Sequence, residues 1–295
     1  MVIVKLIGGL GNQMFQYALG KSLSSRLGTD FKLDLDFLLD RTPRENFTYR
    51  DYNLDSFILK EKRATTEETK KYTRPARTDI LGKLAYTVRQ SISPYKYFYE
   101  PHYHFTPAVF DLPKDCYLEG YWQSPKYFES LEKELRQDFR FREPLPNHVR
   151  TLHQDITNQD SVCIHVRRTD YINNSFHPLC TMDYYTKAID LMASRIKSPH
   201  FYIFSDDPGW CIEHFDLKYP SMVVADKYLG LKFSDDLHLM SICKHFIIPN
   251  SSFSWWAAWL SANQDKVVIA PKTWFGDKNW DAKDLIPETW LRIEN

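Results

Sequence analysis

"SVCIHVRRTDY", Ser161 to Tyr171, runs from apolar to charged residues without a break. Val162, Cys163, Ile164 and Val166 have the composition of a buried strand. Arg167, Arg168 and Asp170 follow at once, so the strand ends where two cations stand side by side. Ordinary surfaces scatter their charges. Two adjacent arginines at a strand end suit a partner carrying two or more negative charges.

The same alternation continues outward. Thr181 caps a helix to about Ile196, "HFYIFSDD" is a strand ending in Asp206 and Asp207, and "SMVVAD" is another. "SDDLHLMSICKH" predicts a helix, "FIIP" a strand, "NSSFSWWAAWL" the start of a helix, and "KVVIAP" a last strand. Short strands alternating with helices predict an α/β fold with a doubly wound parallel sheet.

Towards the N-terminus the pattern recurs: a strand from Val2 to Ile7, the turn "GGLGN", a helix from about Gln13 to Leu27, and the strand "FKLDLD". The stretch from about Asp40 to Phe110 is irregular, charged and rich in tyrosine and proline. "YLEGYWQ" then predicts a strand, and "SPKYFESLEKELRQDF" a helix capped by Ser124 with Pro125 at its first position. The prolines of "REPLPNHVR" mark a boundary nearby. The expected organisation is one α/β domain over 1–153 and a second over 154–295, facing each other across a cleft.

Composition narrows the function. Lys plus Arg equals Asp plus Glu, 38 each, in a chain of 295 residues. That balance argues against a general nucleic-acid surface, which needs clustered basic excess. An anionic ligand must therefore be met locally. The five cysteines are widely spaced with no CxxC pair, and read as reduced, mostly buried thiols of a cytoplasmic protein. The first apolar run is too short for a signal peptide, and no stretch approaches the ~20 apolar residues of a membrane span. "SWWAAWLSA" reads as a buried helix.

In open α/β sheets ligands bind beyond the carboxyl ends of the strands. Three polar clusters fall there: "HVRRTD", "SDD" and "NSSFS". Each alone also fits a turn with helix caps. Together they describe a nucleoside-diphosphate pocket. Arginine forks match phosphate oxygens, hydroxyls and amides at a helix start seat an anion, and a carboxylate of Asp206 or Asp207 can accept the paired N–H donors of a guanine edge. "GGLGNQ" is not a P-loop, since no GK[ST] follows. Gly8, Gly9 and Gly11 suit a tight βα turn, while Asn12 and Gln13 place two amides at the helix start. Asn12 can equally be a simple cap.

"GGLGNQMFQYA", "HVRRTDY", "FSDD" and "DDLHLMSICKHFIIPNSSFSWWAAWL" together resemble the bacterial α-1,2-fucosyltransferases, glycosyltransferase family 11. The likeness runs in order from Gly8 to about Trp259. It implies a GT-B fold of two Rossmann-like domains and transfer of L-fucose from GDP-β-L-fucose to the 2-hydroxyl of a terminal galactose. Configuration inverts, and no metal or other cofactor is implied. The site residues it implies are Arg167, Asn12 and Asp170 at the reaction centre, Arg167 gripping the β-phosphate, Asp170 orienting the arginines, and Asn12 near the reacting sugar. His165 would lie near the guanosine, and Arg168 would hold the motif together or meet the phosphates as well. Asp206 or Asp207 would read guanine, and Asn250, Ser251, Ser252, Phe253 and Ser254 would close around the diphosphate. Family habit places such enzymes in surface-glycan synthesis at the inner membrane face, with at most peripheral membrane contact.

Other readings stay open at this point. "DLD" (Asp34 to Asp36) is a D-x-D, by which another class of glycosyltransferases holds a metal-bound nucleotide, and it puts both carboxylates on one strand face. A fucosyltransferase of other linkage, another GT-B nucleotide-sugar transferase and a non-catalytic sugar- or nucleotide-binding module are the further alternatives. A lectin reading of Trp255, Trp256 and Trp259 competes with helix burial, as sugar stacking by Tyr121 and Trp122 competes with core packing. No residue stands out as the base that takes the acceptor's proton.

Overall fold

The computed structural model describes residues 1–45, 48–60, 62–72, 96–172, 174–224, 233–277 and 280–295, except the side chain of 233. Residues 73–95, about a third of the irregular stretch, thus lie outside the described residues. The chain divides into two compact units, Met1–Arg140 and Phe141–Asn295.

In the first unit β1 (Val2–Lys5) sits at the centre of a five-stranded parallel sheet. Its neighbours are β2 (Phe31–Asp34) and β5 (Cys116–Glu119), flanked by β3 (Lys62–Arg63) and β4 (Lys96–Tyr99). Val2, Ile3 and Val4 are fully buried, as a central parallel strand covered on both faces requires. The helix Leu10–Leu27 crosses back over this sheet and buries Met14, Phe15, Tyr17, Ala18, Leu19 and Leu23. Gly20 lets it approach closely: a Cβ there would stand 2.2 Å from the Phe31 ring and 2.8 Å from Val4.

The second unit carries a six-stranded parallel sheet in the order β11-β10-β9-β6-β7-β8. These are β6 (Asp160–Val166), β7 (Pro199–Ser205), β8 (Ser221–Val223), β9 (His245–Ile247), β10 (Val268–Pro271) and β11 (Leu291–Ile293). Val162, Ile164, Phe201, Ile203, Ile247 and Ile269 pack with Tyr184, Tyr185, Ala188 and Met192 of the helix Met182–Arg195. Thr181 caps that helix by accepting the Tyr184 N–H at 3.4 Å. In the helix Ser252–Leu260, Trp255 and Trp256 are fully buried and the Trp255 indole donates to the Leu285 carbonyl at 2.9 Å. Packing, not sugar binding, accounts for them.

Three expectations need correction. The boundary lies at Arg140/Phe141 rather than 153/154, because Phe141 stacks on His238 at 4.1 Å. Gln159, just beyond the helix Arg150–Asn158, takes the Tyr202 hydroxyl of β7 at 2.8 Å. The long helix after Ser124 is broken into 3₁₀ turns at Pro125–Tyr127 and Glu129–Leu131, and becomes α-helical only over Glu132–Asp138. Finally, β2 stops at Asp34, and Asp36 opens a short helix, Asp36–Leu39. The two acids therefore do not share a strand face. Asp34 accepts the Asp36 N–H at 2.9 Å and the Tyr117 hydroxyl at 2.5 Å, so its carboxylate is already engaged.

Candidate active site

In the second unit, the loop after β6 is locked to the loop after β7. Asp206 takes four donors: the Arg168 N–H at 2.9 Å, the Thr169 N–H at 3.1 Å, the Thr169 hydroxyl, and the Arg167 guanidinium at 3.3 Å. Two backbone bonds from consecutive residues fix the turn itself. The Arg167 Nε and Nη2 both reach Asp170 Oδ1 at 2.8 Å. Burial works against the charge on Arg167, but the Asp170 hydrogen bond and the nearby Asp206 and Asp170 carboxylates outweigh it and raise its pKa. It is a permanent, fixed cation.

Arg168 is held differently. Its Nε donates to Asp207 at 3.1 Å and its guanidinium lies 3.8 Å over the Trp210 ring. Asp207 also caps the helix Pro208–His214 by accepting the Trp210 N–H at 3.2 Å. Asp170 therefore orients Arg167 and Asp207 orients Arg168, where the sequence suggested Asp170 for both. With Nε engaged, the Nη groups of Arg168 make no hydrogen bond among the described residues, and their N–H bonds are available to a ligand. The guanine-reading role for Asp206 or Asp207 fares worse, since both carboxylates are committed to building this loop.

His165, the next-to-last residue of β6, is only 5% exposed. Burial, with the Arg167 charge beside it, pushes its pKa well down and keeps the ring neutral. Its Nδ1 is buried without a partner among the described residues, and the ring lies 5.9 Å from Phe253.

The "NSSFS" run divides by role. Asn250 is structural: its amide donates to the carbonyls of Pro178 at 3.1 Å and Trp274 at 2.9 Å. Ser254 is fully buried and bonds back to the Ser251 carbonyl at 3.1 Å. Ser251 is the N-cap of the helix but makes no side-chain capping bond. That leaves Ser251, Ser252, Phe253 and the first-turn amides as the part of the run suited to an anion.

One group escaped the sequence reading. Asp236 lies in the first turn of the helix Phe233–Ser241. Its Oδ1 is buried and unpartnered among the described residues. Burial, reinforced by Asp235, raises its pKa to about 7. The "SDD" that opens that helix, Ser234 to Asp236, is the visible signal for it in the sequence.

The first unit gathers its polar groups at the carboxyl ends of β1, β4 and β5. Gly8 has φ +79°, and a Cβ on it would stand 2.4 Å from Asn12 Nδ2, so both conformation and space demand glycine. Gly9 is the N-cap of the helix that contains Gly11, Asn12 and Gln13. Asn12 is thus helical, not the cap, and its Oδ1 accepts from the Gln123 amide at 2.7 Å. Gln13 proves structural: it donates to the Gly8 and Asp51 carbonyls at 3.0 and 2.8 Å and accepts the Asn53 N–H at 3.1 Å. Gln16, unremarked in the sequence, ties Ile7 to the Gly120 carbonyl. Trp122 is fully buried, which removes it as a sugar-stacking surface.

Comparison with known proteins decides the family. The chain matches glycosyl transferase family 11 over residues 1–294. It belongs to that family. An α-1,2-colitosyltransferase of Escherichia coli is 31% identical over 300 residues, covering 100% of this chain and 99% of the relative. An O-antigen biosynthesis glycosyltransferase of E. coli is likewise 31% identical, over 98% of this chain and 99% of its own. A galactoside 2-α-L-fucosyltransferase of Caenorhabditis elegans is 26% identical over 65% of this chain and 57% of its own length. The protein is therefore a family 11 glycosyltransferase. Among the described residues no helix is long and apolar enough to cross a membrane.

Proposed function

We propose that the protein is an inverting, metal-independent α-1,2-fucosyltransferase, moving L-fucose from GDP-β-L-fucose to the 2-hydroxyl of a terminal galactose. The observation that carries the reading is the pair Arg167 and Arg168 at the end of β6, locked by Asp170 and by Asp206 and Asp207 from the end of β7. As the fucose–phosphate bond breaks, negative charge grows on the departing GDP and the sugar becomes oxocarbenium-like. Fixed guanidinium N–H groups aimed at the β-phosphate stabilise that charge more in the transition state than in the ground state. Asp34, the first acid of the D-x-D, is committed to Tyr117 and the backbone, which favours arginine over a metal ion for this task. With Asp206 and Asp207 engaged, the unpartnered Asp236 carboxyl is the better candidate to meet the guanine edge. Asn12 faces the reacting sugar.

The full-length similarity to a colitosyltransferase favours one second reading, a different deoxysugar on the same nucleotide. Purified protein is incubated with lactose and either GDP-fucose or GDP-colitose, with EDTA present, and GDP release and product linkage are measured. Fucose in α-1,2 linkage to galactose, formed in chelator, is the expected result. Turnover of GDP-colitose alone reassigns the donor; loss of turnover in EDTA ends the metal-free mechanism. Arg167→Ala separates an enzyme, which loses turnover, from a binding module, which keeps its carbohydrate affinity.

A further inference from the structure

Beyond β5 the first unit contains three unfavourable features in succession. Trp122 has φ +57°, the left-handed region that costs a bulky side chain roughly 1–3 kcal/mol. Its indole Nε1 is buried without a partner among the described residues, and so is the Oε1 of Gln123. Folded proteins satisfy nearly all buried polar atoms, so two orphans on adjacent residues call for a reason.

Glu100, just past the end of β4, holds this bend. It is 6% exposed, and its two oxygens accept the N–H groups of Tyr121 at 2.6 Å and Trp122 at 3.0 Å. Gly120 makes room for it: a Cβ there would meet the Glu100 Cβ at 2.4 Å and its Oε2 at 2.7 Å. Burial raises the Glu100 pKa to about 8 even against those two N–H bonds, so the protein tolerates a poorly solvated acid to hold one turn. What the bend delivers is the Gln123 side chain, whose Nε2 donates to Asn12 Oδ1 at 2.7 Å. That bond fixes which way the Asn12 amide faces, with Nδ2 turned over Gly8.

We infer that Gln123 is a positioning residue that sets the Asn12 amide for the transfer step, and that Glu100 holds the left-handed turn that presents it. The inference rests on the reading of Asn12 as the amide facing the reacting sugar. An asparagine free to flip would present oxygen where N–H is needed in half of its population, and would wander by an ångström. Misplacement on that scale typically lowers turnover by about 10²-fold.

The test is a double-mutant cycle with Gln123→Leu and Asn12→Ala, read as kcat and KM with whichever sugar nucleotide the wild type turns over, alongside thermal melting. Gln123→Leu is expected to lower kcat by about 10–100-fold with both KM values within threefold of wild type. In the Asn12→Ala background the same change should have no further effect. Gln123→Met, which keeps the side chain's length but cannot donate to Asn12, should reproduce the loss in a protein that melts normally. If Asn12→Ala is inactive while Gln123→Leu keeps full kcat, or if the two losses multiply, the positioning role is overturned. If Asn12→Ala itself keeps full kcat, it is the assignment of Asn12 that fails.

Discussion

Asp206→Asn is the sharpest perturbation of the proposed donor site, because one side chain holds both the loop and the cation. The aspartate accepts from the Arg168 and Thr169 amides, the Thr169 hydroxyl and the Arg167 guanidinium. Asparagine keeps one oxygen and puts an NH₂ where the other stood. If the remaining oxygen holds the Arg168 amide, the NH₂ faces three donors. Hydrogen bonds to a charged group are worth about 1.5–3 kcal/mol each, and the side chain is 16% exposed, so water replaces part of what is lost. A net destabilisation of about 3 kcal/mol follows, which in a domain of this size lowers the melting point by about 6–12 °C. Turnover should fall further than occupancy. With Arg167 no longer held from two sides, kcat is expected to drop by about 10²-fold or more, while calorimetric GDP affinity falls by less. Calorimetry and a GDP-release assay at saturating donor measure both. A variant that melts within 2 °C of wild type and turns over within about threefold of it would show that Asp206 does not organise the arginine loop.

Three further outcomes follow from the same geometry. Gly8→Ala forces a Cβ into Asn12 and an unfavourable φ, and should cost roughly 1–3 kcal/mol in urea denaturation together with about tenfold or more in kcat. Arg168→Lys loses the Nε bond to Asp207 and the flat stack on Trp210 while keeping the charge, so the donor KM should rise about tenfold with little change in the melting point. The stability contributed by Glu100 has a definite pH sign: its folded pKa of about 8 lies above the ordinary 4.5, so the contribution is whole below about pH 4.5 and is lost as pH rises towards about 8. The slope is about 1.4 kcal/mol per pH unit, and Glu100→Gln should flatten it in denaturation curves taken between pH 5.5 and 8.

The strands were legible because a buried parallel strand is an unbroken apolar run, and "SVCIHV" and "HFYIF" can be little else. The tryptophan helix was legible for the same reason. The amides were not. Asn250 and Gln13 have the chemistry of ligand-binding groups, and what makes them structural is a set of carbonyls at Trp274, Pro178 and Asp51, far along the chain. Only the fold brings those carbonyls within reach. Asp34 and Asp36 looked like a pair because period-two alternation was assumed to continue, whereas the strand ends between them. The break of the helix after Ser124 was hidden in the same way: Ser124 and Pro125 do open a helical turn, but Phe128 leaves it at φ −142°. Glu100 lay in a stretch without periodicity, where nothing marks one acid among many.

The two arginines that drew attention to the site meet three carboxylates, Asp170, Asp206 and Asp207, so locally the fixed charges sum to about one negative. A nucleoside diphosphate is therefore not drawn in by a bare positive patch. The carboxylates serve a different end. Two adjacent guanidinium groups repel each other, and long side chains released into solvent lose rotamer order. Pairing each arginine with its own acid removes both problems before the ligand arrives. The arginines then direct their remaining N–H bonds to fixed points, and need no reorganisation when charge develops on the leaving phosphate. Loose attraction would favour ground-state binding of the donor. Held donors instead favour the transition state, as the proposed metal-independent transfer would require.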